Sequence, residues 1–120
     1  MKYIVFLIVL ISLKWDLHSQ VDSKWVRHFG GIGVEMCGGI VTDFQKNIYL
    51  SGIYESTFDA DPSLNTHLLV SSGDVCNFII KLDENGNFVW AKQISAIHQS
   101  FGVVGGYINI DDCSNVYIVG

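Results

Sequence analysis

The feature that most constrains this chain is an internal repeat, because a sequence that recurs at a fixed spacing is built from repeated structural units. Three segments recur in the same order, the first after 65 residues and the other two after 68. The matched segments are 25–29 with 90–94, 38–43 with 106–111, and 47–52 with 115–120. The recurring or turn-forming residues are Trp25, Asp43, Asn47, Tyr49, Gly52, Asn85, Gly86, Trp90, Asp111, Asn115, Tyr117 and Gly120. We therefore expect repeated structural units rather than one irregular domain.

Within the repeat, apolar and polar residues alternate with period two, which is typical of β-strands. Cys76, Phe78 and Ile80 would share one face of a strand, and Asn85-Gly86 predicts a tight hairpin turn. The predicted strands cover 24–30, 38–43, 47–54, 76–83, 87–95, 106–111 and 115–119. The four strands between 38 and 95 are expected to form one antiparallel meander.

Several of these strands are apolar on both faces, as in Ile48-Tyr49-Leu50, and such a sheet needs a neighbour on each side. Radial stacking of four-stranded sheets, as in a β-propeller, meets that need. Trp25 and Trp90 would then pack between blades. The recurring Asp and Asn residues would cap turns through their side chains. A small self-contained β-sandwich is the alternative, and a folded monomer of residues 20–120 would support it.

The repeats resemble the extracellular β-propeller repeats of the SBBP type, found in proteins exported by type IX secretion systems. The matching segments are 39–43, 47–52, 58–62, 74–83, 85–87 and 88–92. The family usually has Gly before the first Asn, where this chain has Lys46 and Ser114. Either those residues adopt a positive φ, at about 1 kcal/mol each, or the turns are looser.

The resemblance implies an all-β chain of antiparallel blades, with a last-strand segment at 24–30, a full blade at 38–95 and a half blade at 106–120. A propeller closes with at least about four blades. We therefore expect an incomplete, N-terminal fragment of a propeller, whose missing blades or other chains are needed to complete the fold.

The N-terminus predicts export. Lys2 precedes an apolar run over residues 4–13, and a polar stretch follows it, which is the order of a secretory signal peptide. The run is too short to span a bilayer, and a buried core helix is the alternative. We expect cleavage after Ser19, transit through the periplasm, a mature domain over 20–120 without a membrane span, and an extracellular or cell-surface location.

Composition and motifs argue against several kinds of site. The net charge of -5 argues against nucleic acid as a partner, because phosphate binding needs a basic surface. No nucleophile elbow, dinucleotide fingerprint or metal-ligand spacing is present. We therefore expect neither an enzyme nor a cofactor. Glu55, Asp59 and Asp61 could supply oxygens to Ca²⁺, although a solvated acidic loop explains them as well.

The sequence thus predicts a non-catalytic binding or scaffolding module whose variable segment 55–74 carries recognition of an unknown protein or carbohydrate. The alternative is the non-catalytic part of an exported hydrolase whose active site lies outside this chain. Three cysteines, Cys37, Cys76 and Cys113, leave at least one thiol unpaired within the chain. Cys76 is expected to be a small buried apolar residue.

Overall fold

The structure, a computed structural model, describes residues 23–71, 75–95 and 106–119. In these ranges the chain is all β, with antiparallel pairing and no helix, as predicted. The strands are β1 (Gly30–Gly31), β2 (Glu35–Thr42), β3 (Ile48–Tyr54), β4 (Thr57–Asp59), β5 (Leu68–Val70), β6 (Cys76–Leu82), β7 (Phe88–Ser95), β8 (Tyr107–Ile110) and β9 (Val116–Val119). The predicted signal peptide at 1–19, together with Asp74 and Gly120, lies outside the described residues.

A four-stranded antiparallel sheet in the order β2-β3-β6-β7 forms the centre of the fold. The predicted meander between residues 38 and 95 is therefore present. Strand β2 begins earlier than predicted, because Glu35 already pairs with Tyr54. A β-bulge between Cys37 and Gly39 interrupts this pairing, and it shifts the register of the edge strand by one residue.

Two segments differ from the expectation. The predicted strand over 24–30 is reduced to β1, and residues 24–29 form no strand. The variable segment 55–74 contains β4 and β5, which pair with each other, and β4 also pairs with β1. Its apolar residues explain this order, since Phe58 and Leu69 are buried and contribute to the core rather than to a solvated loop.

The two sides of the central sheet have different partners. Directly opposed residues of antiparallel strands point to the same side, so Tyr54, Cys76, Leu50 and Ile80 share one side, called face 1. The main hydrophobic cluster lies on this face. The segments before β2 and between β3 and β6 cover it with Trp25, Phe29, Phe58, Ala60 and Leu69.

The opposite side, called face 2, carries Tyr49 and Ser51 of β3. The hairpin β8–β9, which begins the second repeat, packs against it. The Ser51 hydroxyl donates a buried hydrogen bond of 2.7 Å to the Gly106 carbonyl. Ile108 Cγ2 lies only 3.0 Å from the position of a Cβ on Gly39. Strands β2 and β3 of the central sheet are thus packed on both faces, which explains the doubly apolar run in β3.

Candidate binding surface

Three turns of the described chain, at 43–47, 83–87 and 111–115, share one backbone pattern. The N–H of the first residue, an Asp, donates to the carbonyl of the fifth residue, an Asn, at 3.0, 2.9 and 3.1 Å. The N–H of the fourth residue donates to the Asp carbonyl at 2.9, 3.0 and 2.9 Å. Each turn is a hairpin whose loop has three residues. The last loop residue, which is the fourth of the five, needs a left-handed conformation.

The side chains of each turn repeat the pattern. The Asn backbone N–H donates to Asp Oδ1 at 2.8, 2.9 and 2.8 Å, and Asn Nδ2 donates to Oδ2 at 2.8, 2.9 and 2.8 Å. In the first and third turns a tyrosine hydroxyl also donates to Oδ2, Tyr49 at 3.1 Å and Tyr117 at 3.0 Å. The structure thus places the recurring Asp, Asn and Tyr residues in one hydrogen-bonded unit.

These bonds set the charge state of the turns. Burial acts to raise the pKa of Asp43, but hydrogen bonds from Asn47 and Tyr49 outweigh it, and the pKa lies below its ordinary value. For Asp83 the backbone bond from Asn87 is the main cause of a lowered pKa. The Asn115 side chain has the same effect on the pKa of Asp111. The carboxylates are therefore ionised acceptors that order backbone.

The fourth residue of each turn has a positive φ. Its value is 64° at Lys46, 74° at Gly86 and 63° at Ser114. Of the two alternatives raised by the sequence, the structure has the tight left-handed turn. Lys46 and Ser114 therefore each bear a strain of about 1 kcal/mol that Gly86 avoids.

The N-terminal segment packs on the turn at 83–87. The Trp25 ring lies over Gly86, where an added Cβ would come within 2.8 Å of the indole. Trp25 Nε1 donates to the Glu84 carbonyl at 3.3 Å. Arg27 donates from Nε to the Gly86 carbonyl at 2.7 Å and from Nη2 to the Asn85 carbonyl at 3.1 Å. The segment is thus attached to the turn without strand pairing.

The segment between β4 and β5 is ordered by its own polar side chains. Asp59 Oδ1 accepts the backbone N–H of Asp61 at 3.1 Å and that of His67 at 3.0 Å. Asp61 Oδ1 accepts the N–H of Ser63 at 2.9 Å. Within the described ranges no group of three His, Cys, Asp or Glu side chains is placed to hold a metal ion, and the calcium hypothesis for Glu55, Asp59 and Asp61 stays a prediction.

A groove of about 450 Å³ lies between this loop and the turn at 83–87. The Phe88 ring forms the aromatic wall, and the His67 ring lies against it with centroids 5.0 Å apart and planes tilted by 39°. Leu64 is fully exposed. The lining residues are Arg27, Asp61, Pro62, Ser63, Leu64, Asn65, Gly86, Asn87 and Phe88. The groove combines an aromatic ring, a guanidinium and several hydrogen-bonding groups, which suits a polar ligand with an apolar face. We call it the loop groove.

The remaining sequence-derived positions are distributed as follows. Trp90 lies on face 2, half-buried, with its ring 6.1 Å from that of Tyr49 in an edge-on arrangement. Gly52 lies where an added Cβ would be 2.2 Å from the Met36 carbonyl oxygen. Cys37, Cys76 and Cys113 are free thiols, of which Cys76 is buried.

Sequence reasoning missed Arg27 and Ser51. Arg27 links the N-terminal segment to a turn 59 residues away, and Ser51 links the two repeats. The signal for Arg27 was the matching basic residue Lys92 in the repeat. Ser51 corresponds to Val119 in the same alignment, so the repeat pattern gave no indication of its role.

Comparison with known proteins gives one distant similarity. No protein-family profile matches the chain, and no solved structure matches it. The chain is 29% identical over 127 aligned residues to the uncharacterized WD repeat-containing protein L264 of Acanthamoeba polyphaga mimivirus. The alignment covers 94% of this chain and 9% of that protein. The similarity therefore relates this chain to about one tenth of a protein named for its repeats.

Among the described residues, no helix is long and apolar enough to cross a bilayer.

Proposed function

We propose that this chain is a non-catalytic binding or scaffolding module built from β-propeller-type repeats. The observation that carries the proposal is the packing of β2 and β3 on both faces, with the first hairpin of the second repeat on face 2 through Ser51 and Ile108. Sheets that stack on one another in chain order are the building principle of a propeller. The similarity to a WD repeat-containing protein supports it, because WD repeats form propeller blades.

Recognition, in this proposal, takes place in the loop groove. Its loop is inserted between β3 and β6 and is held by Asp59 and Asp61, while its other wall belongs to the rigid turn at 83–87. A variable loop on a rigid scaffold is the usual arrangement of binding surfaces. The ring of Phe88 and the exposed Leu64 offer apolar contact, and Arg27 and Asn87 offer polar contact. Carbohydrates and extended peptides both match this chemistry.

Export of the module is part of the proposal, as is the type IX route that the repeats suggest. Its support is the charged, apolar and polar order of residues 1–19, which is that of a signal peptide.

The test of binding is a screen of the purified chain against arrayed oligosaccharides and displayed peptides. Leu64→Ser is the informative variant, because this exposed side chain contributes nothing to the core. Phe44→Ser is its matched control, since Phe44 is also exposed but lies on the turn at 43–47. The proposal expects a ligand whose affinity falls at least tenfold in Leu64→Ser and is unchanged in Phe44→Ser. Equal losses would contradict the loop groove, and chemical turnover of the ligand would contradict a non-catalytic role.

A further inference from the structure

Trp25 shows how an indole recognises a turn of this repeat. Its ring covers Gly86 so closely that a Cβ there would lie 2.8 to 2.9 Å from three ring atoms. Its Nε1 donates to the Glu84 carbonyl of the same turn. Packing of an indole on this turn therefore requires glycine at the left-handed position. It also requires a carbonyl oxygen, two residues before that glycine, that can accept the indole N–H.

Trp90 is the counterpart of Trp25 in the repeat, 65 residues later. The basic residue that follows two positions on is also retained, as Arg27 in one segment and Lys92 in the other. Trp90 lies on face 2, where Tyr49 contacts its ring from one side. On the same face, Ile94 of β7 is 42% exposed. The same half of face 2 also carries Lys81 and Lys92, so the indole of Trp90 lies between apolar and basic side chains.

The other half of face 2 already has its occupant. Strand β8 lies over β2 and β3, with Ile108 against Gly39 and Gly106 against Ser51. The hairpin β8–β9 corresponds by sequence to β2–β3. In the first repeat, β6 pairs with β3 on the side away from β2. A second repeat of the same order would therefore place its own β6–β7 hairpin over the β6–β7 half of face 2.

We propose that the β6–β7 half of face 2 binds the third- and fourth-strand hairpin of a following repeat. Trp90 would pack on the Asp-x-Asn-Gly-Asn turn of that hairpin, as Trp25 packs on Gly86. The occupant is a β-hairpin with glycine at the left-handed position of its turn. The inference rests on the proposed stacking of repeats and adds the contact that sets their register.

The test is a chain extended after Gly120 by a second copy of residues 53–95, because Gly120 corresponds to Gly52 in the repeat. In the extended chain, a double-mutant cycle combines two substitutions. One is Trp90→Ala, and the other replaces the copy of Gly86 in the extension with alanine. The reference cycle pairs Trp25→Ala with Gly86→Ala in the natural chain. Each cycle subtracts the strain that alanine itself introduces at positive φ.

We expect both cycles to depart from additivity by about fivefold or more in the equilibrium constant for unfolding, which is the size typical of residues in contact. The extended chain could be more stable than the natural one while the Trp90 cycle shows additive effects. That result would overturn this inference and leave the stacking proposal standing. An extension that adds no stability and leaves Trp90 unchanged would overturn both.

A second measurement does not depend on destabilised variants. In chains labelled with 5-fluorotryptophan, the ¹⁹F resonance of Trp90, assigned by Trp90→Phe, should shift when the extension is added. The resonance of Trp25 should stay in place. A Trp90 resonance that is identical with and without the extension would contradict this packing.

Discussion

The hairpins β2–β3 and β8–β9 have the same turn but very different surroundings. Asp43 and Asp111 accept matching hydrogen bonds from their Asn and Tyr partners at nearly the same lengths, and Asp111 also accepts the Cys113 N–H. Yet Tyr49 is 2% exposed and its counterpart Tyr117 is 55% exposed. The turn is therefore specified by its own five residues and the tyrosine that follows. Burial of the tyrosine depends instead on the elements that pack on the sheet. Matched substitutions in the two hairpins can therefore separate the contribution of the turn's hydrogen bonds to stability from the contribution of burial.

The largest effect is expected where the first repeat tolerates no side chain. Gly52→Ala places a Cβ 2.2 Å from the Met36 carbonyl oxygen and 2.6 Å from the Phe78 ring. Because the first contact is with backbone, we expect a loss of about 3 kcal/mol or more in the free energy of unfolding. Chemical denaturation measures it. Gly30→Ala is the control, since its nearest contact, at 3.5 Å from His28, is ordinary. Equal losses in both would refute the close-packing argument.

Asp43→Ala and Asp111→Ala compare the two turns directly. The first substitution removes the acceptor of a buried Tyr49 hydroxyl as well as the turn bonds. We expect a loss of about 2 to 3 kcal/mol in the free energy of unfolding of the first repeat. The Asp111 variant should lose less, because Tyr117 remains in contact with water. Hydrogen exchange at each hairpin distinguishes them. If Asp111→Ala proved the more damaging, burial could not be the source of the difference.

The sequence predicts the parts of this comparison that depend on interactions between residues close together in the chain. The alternation of Cys76, Phe78 and Ile80 predicted β6 and its core face, since period two reports which side is apolar. The same signal failed at 24–29, because Trp25 and Phe29 pack on face 1 without a strand to pair with. Apolar spacing does not say whether a pairing partner is present.

The candidate site was harder to predict than the sheet. β4 and β5 have three residues each, which is too short for a periodic pattern. The loop groove joins Arg27 to residues 61–65 and 86–88, which only tertiary packing brings together. The predicted recognition segment 55–74 contains one wall of this groove, and its recognition role stays a prediction. The acidic residues Asp59 and Asp61, which the sequence assigns either to calcium or to a solvated loop, accept backbone hydrogen bonds within their own loop.

Ser51→Ala tests what holds the second hairpin to the first repeat. The variant leaves the Gly106 carbonyl without its buried donor, and we expect a loss of about 1 kcal/mol. The loss should appear as faster hydrogen exchange in β8–β9. Val119→Ser is the matched control, because Val119 holds the corresponding position and is exposed. Unchanged exchange in the Ser51 variant would mean that the hairpin is held by other contacts.

Alkaline pH should separate two tyrosines whose pKa values are raised for different reasons. Burial is the main cause that raises the pKa of Tyr54 to about 12, from 10.0. For Tyr117 the hydrogen bond to Asp111 is the main cause of a raised pKa. A raised folded pKa gives stability that is complete below the unfolded value and is lost as the pH rises through the folded value. The Tyr54 contribution should therefore disappear between pH 10 and about 12.

The measurement is chemical denaturation across that pH range. Tyr54→Phe should remove most of the pH dependence, whereas Tyr117→Phe should change chiefly the exchange rates of β8–β9. A pH dependence that persists unchanged in Tyr54→Phe would show that another group controls alkaline unfolding.

The smallest effect concerns the left-handed residues, and it tests the claim that the turn is local. Lys46→Gly and Ser114→Gly each relieve a positive φ worth about 1 kcal/mol, but glycine also loses more backbone entropy on folding. The two terms nearly cancel, so we expect a gain of at most about 0.5 kcal/mol. Gln45→Gly, beside Lys46 in the same turn, has only the entropic term and should lose stability. If the turn is specified locally, hydrogen exchange will show the same small gain in both hairpins despite their different burial. A gain confined to one hairpin would mean that its neighbours, rather than its own residues, hold the turn in shape.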